Sequence, residues 1–168
     1  LELQSEGIRV GIISEPMDIS HVEYCLNSLA NCQRVQRVGV ADPTGQVFGD
    51  ARALLGKHSA TLSTYDAIPR MLEDFRPDLV YVSLEAHRAP GPIEEALEAD
   101  CHVLSEKPAC VRLSDFKRLV RVAQKNNRML MLVFGNRLLP QVQKARQLVQ
   151  SHSLGGFYGA SIHTIADQ

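Results

Sequence analysis

Lys107 is the residue of this sequence best placed to do chemistry, within the segment 105–109 that reads SEKPA. It directly follows residues 101–106, an apolar segment that predicts a buried strand. A lysine at the carboxyl end of a strand can hold a ribose hydroxyl or the reacting oxygen of a substrate, and it can exchange a proton. Pro108 has a fixed φ that would hold the turn rigid and aim the lysine. Most lysines that precede a helix are solvated surface residues, so position, rather than the tripeptide, indicates function here.

Asp42 is the second candidate, at the end of another apolar segment and within the sequence GVADPTG. A carboxylate after the second strand of a nucleotide-binding sheet commonly accepts hydrogen bonds from ribose hydroxyls and disfavours a 2′-phosphate. An aspartate that opens a turn before Pro43 and Gly45 is explained equally well by turn chemistry. The 28 residues that separate Asp42 from Ser14 exceed the usual spacing of ~20. Both interpretations stay open at this point.

The elements that must position these residues alternate along the chain. Apolar runs of strand length, rich in Val, Ile and Leu, are typical of strands buried on both faces of a parallel sheet. They occupy residues 8–13, 35–41, 78–84, 101–106 and 129–134. Between and after them, amphipathic patterns predict helices over residues 20–30, 47–56, 66–75, 92–99, 114–126 and 141–150, with Asp66 and Ser114 as N-caps. This alternation predicts an α/β fold with a doubly wound parallel sheet.

Ligands of a doubly wound sheet bind beyond the carboxyl ends of its strands. The residues just after each predicted strand are therefore the candidate site. They are Ser14–Asp18, Asp42, Leu84–His87, Glu106–Pro108 and Gly135–Arg137.

The stretch 96–163 resembles the glucose–fructose oxidoreductase and inositol 2-dehydrogenase family (Gfo/Idh/MocA). That family carries the run A-L-x-A-G-K-H-V-x-x-E-K-P, followed by a helix, a strand and an R-x-x-P crossing. The matching residues here are Ala96, Leu97, Ala99, His102, Val103, Glu106, Lys107, Pro108, Arg137 and Pro140. Leu154-Gly155 stands for the I-G that opens the family's second domain. With VGII and VGVAD upstream, the resemblance spans residues 8–163.

The resemblance implies a Rossmann-type dinucleotide-binding domain over residues 8–135, after a tail of residues 1–7. Residues 136–168 are then the beginning of a C-terminal α/β domain whose remainder is absent. The implied cofactor is NAD or NADP, and the implied activity is oxidation or reduction of a sugar, cyclitol or similar polyol. Lys107 would be catalytic and also contact the cofactor, together with Ser14, Asp42, Leu84, Glu106 and Pro108. Arg137 would reach the cofactor or the domain hinge, or form an ordinary salt bridge.

The loop after the first predicted strand departs from the family pattern. The positions of G-x-G-x-x-(G/A) hold Ser14, Pro16 and Ile19. Pro16 has no N–H to donate to a phosphate, and Glu15 adds negative charge where a pyrophosphate would rest. Asp18 can cap the following helix with its own carboxylate. The sequence thus predicts a degenerate glycine loop that binds pyrophosphate poorly.

Further departures lie after the fourth predicted strand. Glu85 and Ala89 stand where the family has Pro and His, and we predict an ion pair between Glu85 and Lys107. The family's second catalytic pair, an Asp and a His, would lie beyond Gln168, so we expect little turnover from these residues alone. One alternative is a non-catalytic Rossmann binding or assembly subunit. A small cation held by Glu15, Asp18 and Glu85 is a further alternative, although no metal-ligand spacing favours it.

Composition narrows the class of protein. The chain has 168 residues, 45% of them apolar, and a net charge of −1, so no basic excess points to nucleic acid. No apolar stretch approaches ~18 residues, and the N-terminus LELQSEG lacks the features of a secretory signal, so we expect no membrane association. Four scattered cysteines indicate a reducing, cytoplasmic location. An unpaired edge strand and an apolar helix surface predict a homo-oligomer.

Overall fold

The computed structural model describes residues 7–16, 21–55, 61–153, 155–159 and 161. The chain divides into two compact units, Leu1–Val133 and Phe134–Gln168. The predicted cap Asp18 and the predicted helix end at Gly56 lie outside the described residues. None of the residues 155–159 and 161 is in a strand.

The described part of the first unit forms a six-stranded parallel sheet in the order β3-β2-β1-β4-β5-β6. The strands are β1 Ile8–Ser14, β2 Val35–Ala41, β3 Thr61–Tyr65, β4 Leu79–Ser83, β5 His102–Ser105 and β6 Leu130–Leu132. From β1, the strands β2 and β3 extend the sheet in one direction, and β4, β5 and β6 extend it in the other. The topological switch point therefore lies between β1 and β4, where an open parallel sheet leaves a crevice. The predicted doubly wound parallel sheet is confirmed.

Helices cover both faces of this sheet. They are α1 Val22–Ala30, α2 Val47–Leu55, α3 Ile68–Arg70 with a π-helical continuation Met71–Phe75, α4 Pro90–Glu98 and α5 Leu113–Lys125. One core cluster joins α1 and α2 to alternate residues of the central strands, such as Val10, Ile12 and Tyr81. The other joins α4, α5 and Phe75 to the opposite side chains, such as Val80 and Val82. Residues that alternate along a strand face opposite sides of the sheet, which is why one apolar run feeds both clusters.

Two glycines allow the π-helical turn to pack directly on the sheet. Gly11 and Gly39 are paired across β1 and β2. A Cβ atom at Gly39 would lie 2.9 Å from Cδ1 of Phe75, and one at Gly11 would lie 3.0 Å from Cε of Met71. Larger residues at these positions would push the turn away from the strands.

Three local predictions were wrong. β3 was missed because its sequence, TLSTY, is polar and only partly buried, so it lacks the apolar run that identified the other strands. Its threonines and tyrosine have the β propensity that suits this outer position. Neither predicted cap makes a capping hydrogen bond: Arg112 occupies the N-cap of α5 in place of Ser114, and Ala67 occupies that of α3 in place of Asp66.

The second unit, described by itself, contains a short 3₁₀ turn, Gly135–Leu138, and the helix α6 Pro140–Gln150. None of the α6 side chains is buried. Several large apolar side chains of this unit are exposed, namely Leu138, Leu139, Val142, Val149, Phe157 and Tyr158. No helix among the described residues of either unit has the length and apolar character needed to cross a membrane.

Candidate active site

The carboxyl ends of β1, β4 and β5 form the floor of the candidate site. Each of these strands ends in a serine, Ser14, Ser83 or Ser105, and all three are buried. Ser14 is paired with Ser83 in the sheet register, and Ser105 lies beside Val82. Ser14 and Ser105 donate to the backbone carbonyls of Glu15 and Glu106, at 3.4 and 3.0 Å. The Oγ of Ser83 has no hydrogen-bond partner of acceptable geometry.

A cavity of about 290 Å³ opens above these strand ends on the β4–β5 side of the switch point. Four of the predicted site residues line it together, namely Leu84, Glu106, Lys107 and Pro108. The remaining lining residues are His21, Ser83, Glu85 and Ala86. Lys107 and Pro108 are exposed and are joined by a cis peptide bond. The cavity therefore combines a cationic side chain, a buried hydroxyl and two carboxylates.

Glu106 is tied to three neighbouring groups. Its Oε1 accepts a hydrogen bond from the Tyr81 hydroxyl at 2.7 Å, and its Oε2 lies 3.3 Å from Nδ1 of His21. The backbone N–H of Lys107 donates to Oε2 at 3.2 Å. Burial alone would raise the pKa of Glu106, but the hydrogen bonds from Tyr81, His21 and Lys107 outweigh it and lower this pKa. Glu106 is therefore a fixed carboxylate that anchors the turn carrying Lys107.

The same cluster keeps its neighbours protonated. Burial, together with the hydrogen bond to Glu106, raises the pKa of the Tyr81 phenol. Burial and the charge of Glu106 raise the pKa of the nearby Cys25 thiol to about 12. Tyr81 thus remains a hydrogen-bond donor, and Cys25 is a packed thiol without thiolate reactivity.

Glu15 lies on the other side of the crevice and pairs with Arg88, which belongs to the turn after β4. Both guanidinium nitrogens engage the carboxylate, with Nη2 of Arg88 donating to Oε1 of Glu15 at 2.8 Å and Nη1 contacting Oε2. The Glu15 side chain is only 15% exposed, whereas that of Arg88 is 52% exposed. This bidentate pair spans the switch point between β1 and β4.

The predicted ion pair between Glu85 and Lys107 is wrong. The Glu85 carboxylate instead lies 3.3 Å from Nδ1 of His87, two residues away on the same turn. Within the described part of the chain, Lys107 makes no ion pair. Glu85 contacts His87 because the two side chains are neighbours on the same turn and meet without any long-range alignment.

Asp42 is fully buried and holds the turn after β2 together. Its Oδ1 accepts hydrogen bonds from the backbone N–H and the hydroxyl of Thr44, both at 2.8 Å. Its Oδ2 accepts a hydrogen bond of 2.9 Å from the backbone N–H of Val47, which is the first residue of α2. Gly45 completes the turn with a φ of +72°, a conformation that glycine adopts without strain. This geometry corresponds to the turn interpretation, and the ribose contact stays a prediction.

Sequence reasoning did not assign Tyr81, Arg88 or His21 to the site. Tyr81 lies inside a strand and reads as core, and Arg88 has no motif around it. A detectable signal was the strand-end position of Arg88, four residues after the predicted strand that contains Tyr81. Arg137 lies in the second unit, where its backbone carbonyl accepts a hydrogen bond from the Gln143 amide.

Other features of the described residues do not compete with this site. They contain no cluster of three or more His, Cys, Asp and Glu side chains that could hold a metal ion. A larger cavity, of about 740 Å³, lies at the opposite edge of the sheet, where Arg9 and Asp78 face each other. Arg9 and Asp78 are paired there, with Nη2 of Arg9 donating to Oδ1 of Asp78 at 2.9 Å. The hydrogen bonds from Arg9 lower the pKa of Asp78, as expected for a structural ion pair.

A six-stranded, doubly wound parallel sheet with a cavity beside its switch point, at the carboxyl ends of β4 and β5, defines a Rossmann-type domain. The family model GFO_IDH_MocA, described as "Oxidoreductase family, NAD-binding Rossmann fold", matches residues 19–134. The chain belongs to this oxidoreductase family, which confirms the family predicted from the sequence.

Curated relatives that match the chain include two sugar-modifying enzymes. The D-glucoside 3-dehydrogenase of Escherichia coli (strain K12) is 29% identical over 160 residues, which cover 93% of this chain and 43% of that protein. The dTDP-3,4-didehydro-2,6-dideoxy-alpha-D-glucose 3-reductase of Saccharopolyspora spinosa is 48% identical over 63 residues, which cover 36% of this chain and 18% of that protein. The chain thus spans less than half the length of these relatives.

Solved structures share the fold. The scyllo-inositol dehydrogenase of Lactobacillus casei, with bound NAD(H) and scyllo-inositol, aligns with a TM-score of 0.74 at 20% identity, over 89% of this chain and 42% of that one. The WlbA dehydrogenase of Bordetella pertussis, in complex with NADH and UDP-GlcNAcA, aligns with a TM-score of 0.74 at 21% identity, over 89% of this chain and 43% of that one.

Proposed function

We propose that this chain is the cofactor-binding part of an NAD(P)-dependent oxidoreductase that acts on a sugar, cyclitol or similar polyol. The observation that carries the proposal is the cavity at the ends of β4 and β5, where Lys107 lies beside Ser83 and Glu106. Oxidoreductase membership and the dehydrogenase names of several relatives support the same chemistry. Turnover is proposed for a protein that carries a complete second domain, and a cytoplasmic location is part of the proposal.

Lys107 is proposed as the catalytic residue. Its ammonium group donates to the oxygen of the reacting carbon, or its amine accepts the proton of the reacting hydroxyl, depending on the direction of the reaction. When bound, a nicotinamide cofactor supplies hydride transfer. Glu106 positions Lys107, because the carboxylate binds the Lys107 N–H while Tyr81 and His21 fix the carboxylate.

The cavity at the carboxyl ends of β4 and β5 is suited to a polar ligand. The buried Ser83 hydroxyl, which has no hydrogen-bond partner of acceptable geometry, is available to a ligand amide or hydroxyl. Leu84 supplies an apolar wall beside it, and Pro108 shapes the turn. Ser14 ends β1 beneath the phosphate end, and Asp42 builds the turn at the ribose end. We include Arg137 as a cofactor contact on the strength of the family resemblance alone.

The proposal is tested by calorimetric titration of the purified chain with NAD+, NADH, NADP+ and NADPH. We expect a Kd of about 10–100 μM for one cofactor pair, a range ordinary for enzyme ligands. Lys107→Ala should weaken binding by about tenfold, since one charge-assisted contact is lost. Lys117→Ala, which removes an exposed lysine on α5, is the matched control and should bind like the wild type. Absence of binding up to millimolar cofactor would overturn the proposal.

The second candidate is a non-catalytic Rossmann binding or assembly subunit. It is favoured by one specific observation, the Glu15–Arg88 pair at the crevice where a cofactor phosphate would approach. The same titration separates the two functions, because the second predicts no affinity for any nicotinamide cofactor. A homo-oligomer is proposed under either function, on the exposed apolar side chains of the second unit.

A further inference from the structure

The crevice between β1 and β4 contains a basic side chain already bound to an anion of the protein itself. Two guanidinium nitrogens of Arg88 donate hydrogen bonds to the two carboxylate oxygens of Glu15. Arginine binds phosphate with the same bidentate geometry. Within the described part of the chain, Arg88 makes no other ion pair. The guanidinium is half exposed, whereas the carboxylate is largely covered. An incoming anion therefore meets the arginine first.

The described part of the loop after β1, Glu15 and Pro16, has few backbone donors to offer a phosphate. Pro16 has no N–H, and the Oγ of Ser14 already contacts the Glu15 carbonyl. A glycine-rich loop binds phosphate through such N–H groups at close approach, so a chain with this loop needs another donor. Arg88 is the cation that the structure places on the same loop from across the switch point.

We propose that Arg88 is the phosphate-binding residue of this crevice, and that Glu15 is an internal counter-anion which a bound phosphate displaces. The inference rests on the proposed function, because it assigns the phosphate end of the same cofactor site. The exchange replaces one bidentate carboxylate by one bidentate phosphate, so the arginine keeps its hydrogen bonds throughout. Glu15 then competes with the ligand, and affinity is lower than the arginine alone would give.

The competition predicts opposite effects of the two partners. Glu15→Gln removes the competing charge and should lower the Kd for the cofactor by about fivefold, whereas Arg88→Gln should raise it by at least about tenfold. Arg88→Lys should restore part of the affinity, because it keeps the charge but not the fork. Glu94 and Arg118, an ion pair between α4 and α5 with Oε2 and Nη1 3.4 Å apart, provide matched controls. Glu94→Gln and Arg118→Gln should each leave the Kd within about twofold.

The experiment is calorimetric titration of the wild type and these variants with the preferred nicotinamide cofactor and, separately, with inorganic pyrophosphate. Pyrophosphate reports on the phosphate end alone, so the effects of Glu15→Gln and Arg88→Gln should appear with both ligands. If the wild type binds cofactor and neither substitution changes its affinity, this inference is overturned while the proposed function stands. If neither the wild type nor Glu15→Gln binds at millimolar cofactor, both are overturned. Thermal melts of each variant verify folding.

Discussion

Replacing Asp42 by asparagine separates the two roles that the sequence left open for this residue. The carboxylate is fully buried and accepts hydrogen bonds from the N–H and hydroxyl of Thr44 and from the N–H of Val47. Asparagine keeps the size and one acceptor oxygen, so the two contacts with Thr44 survive in neutral form. The amide nitrogen, however, is a donor and would face the donor of Val47.

The magnitude follows from these three contacts. A hydrogen bond to a charged group contributes about 1.5–3 kcal/mol and a neutral one about 0.5–1.5 kcal/mol, so neutralising the two Thr44 contacts costs about 2–3 kcal/mol in total. Leaving the Val47 N–H unsatisfied at the first turn of α2 adds about 1–2 kcal/mol, the usual cost of a lost helix cap. We therefore expect Asp42→Asn to lower the free energy of unfolding by about 4 kcal/mol, which lowers Tm by roughly 8–16 °C.

The assay combines a thermal melt with cofactor titration. Asp66→Asn is the matched control, since Asp66 also follows a strand but is exposed and contacts only Arg70, at 3.5 Å. The control should shift Tm by less than ~2 °C. In the cofactor titration, the ratio of affinities for NAD+ and NADP+ should change by less than about threefold in Asp42→Asn. An unchanged Tm would refute the turn role, and a shift of about tenfold towards NADP+ would instead support the ribose contact.

Three further predictions follow from the contacts described above. Because hydrogen bonds lower the pKa of Glu106, its ionisation stabilises the fold above its unfolded-state pKa, near 4.5, and this stabilisation is lost as the pH falls through the folded-state pKa. In urea denaturation measured across pH 3–7, the free energy of unfolding of Glu106→Gln should therefore fall less steeply towards acid pH than that of the wild type. An equally steep fall in both proteins would contradict this. Gly39→Ala places a Cβ 2.9 Å from the Phe75 ring and should cost about 1–3 kcal/mol in the same denaturation assay, whereas Gly49→Ala, where the Cβ meets open space, serves as its control. The exposed Leu138 and Phe157 predict concentration-dependent self-association in sedimentation velocity, weakened by Leu138→Ser and Phe157→Ser, and a monomer at every concentration would contradict it.

The sheet was predictable wherever burial on both faces produced a continuous apolar run. The β1, β2, β4 and β5 runs are buried for this reason, and the structure places strands there within one residue of the predicted ends. β3 was not predicted because an outer strand with partial burial carries polar residues. The helix caps were predicted at the wrong residues because several side chains can satisfy the first turn of a helix, and neither Ser114 nor Asp66 does so.

The backbone conformation of Asp100 agrees with the family run, although the residue differs. Asp100 stands where the family run has glycine, and its φ of +68° lies in the left-handed region that favours glycine. Aspartate tolerates this region better than most residues, and here its carboxylate also accepts a hydrogen bond from Nε of Arg128 at 2.8 Å. The matched run therefore corresponds to the same turn before β5, which supports the placement of Lys107 after it.

The residues of the candidate site were predictable from their positions after strands, but their hydrogen-bond and ion-pair partners were not. Position after a strand identified Lys107, Glu106 and Leu84, which the structure brings to one cavity. The partners of the acidic residues depend on distances across the sheet. Arg88 is 73 residues from Glu15, and Tyr81 is 25 residues from Glu106. No local pattern encodes such contacts.

These pairings decide which charge of the crevice remains available to a ligand. Glu15 is bound to Arg88, Glu85 to His87, and Glu106 to Tyr81 and His21. Each of these carboxylates thus has a partner within the described residues, although only Glu15 is paired with a permanently charged group. Lys107, by contrast, makes no ion pair within the described residues. Its exposed ammonium group is therefore free to donate a hydrogen bond to an electron-rich oxygen.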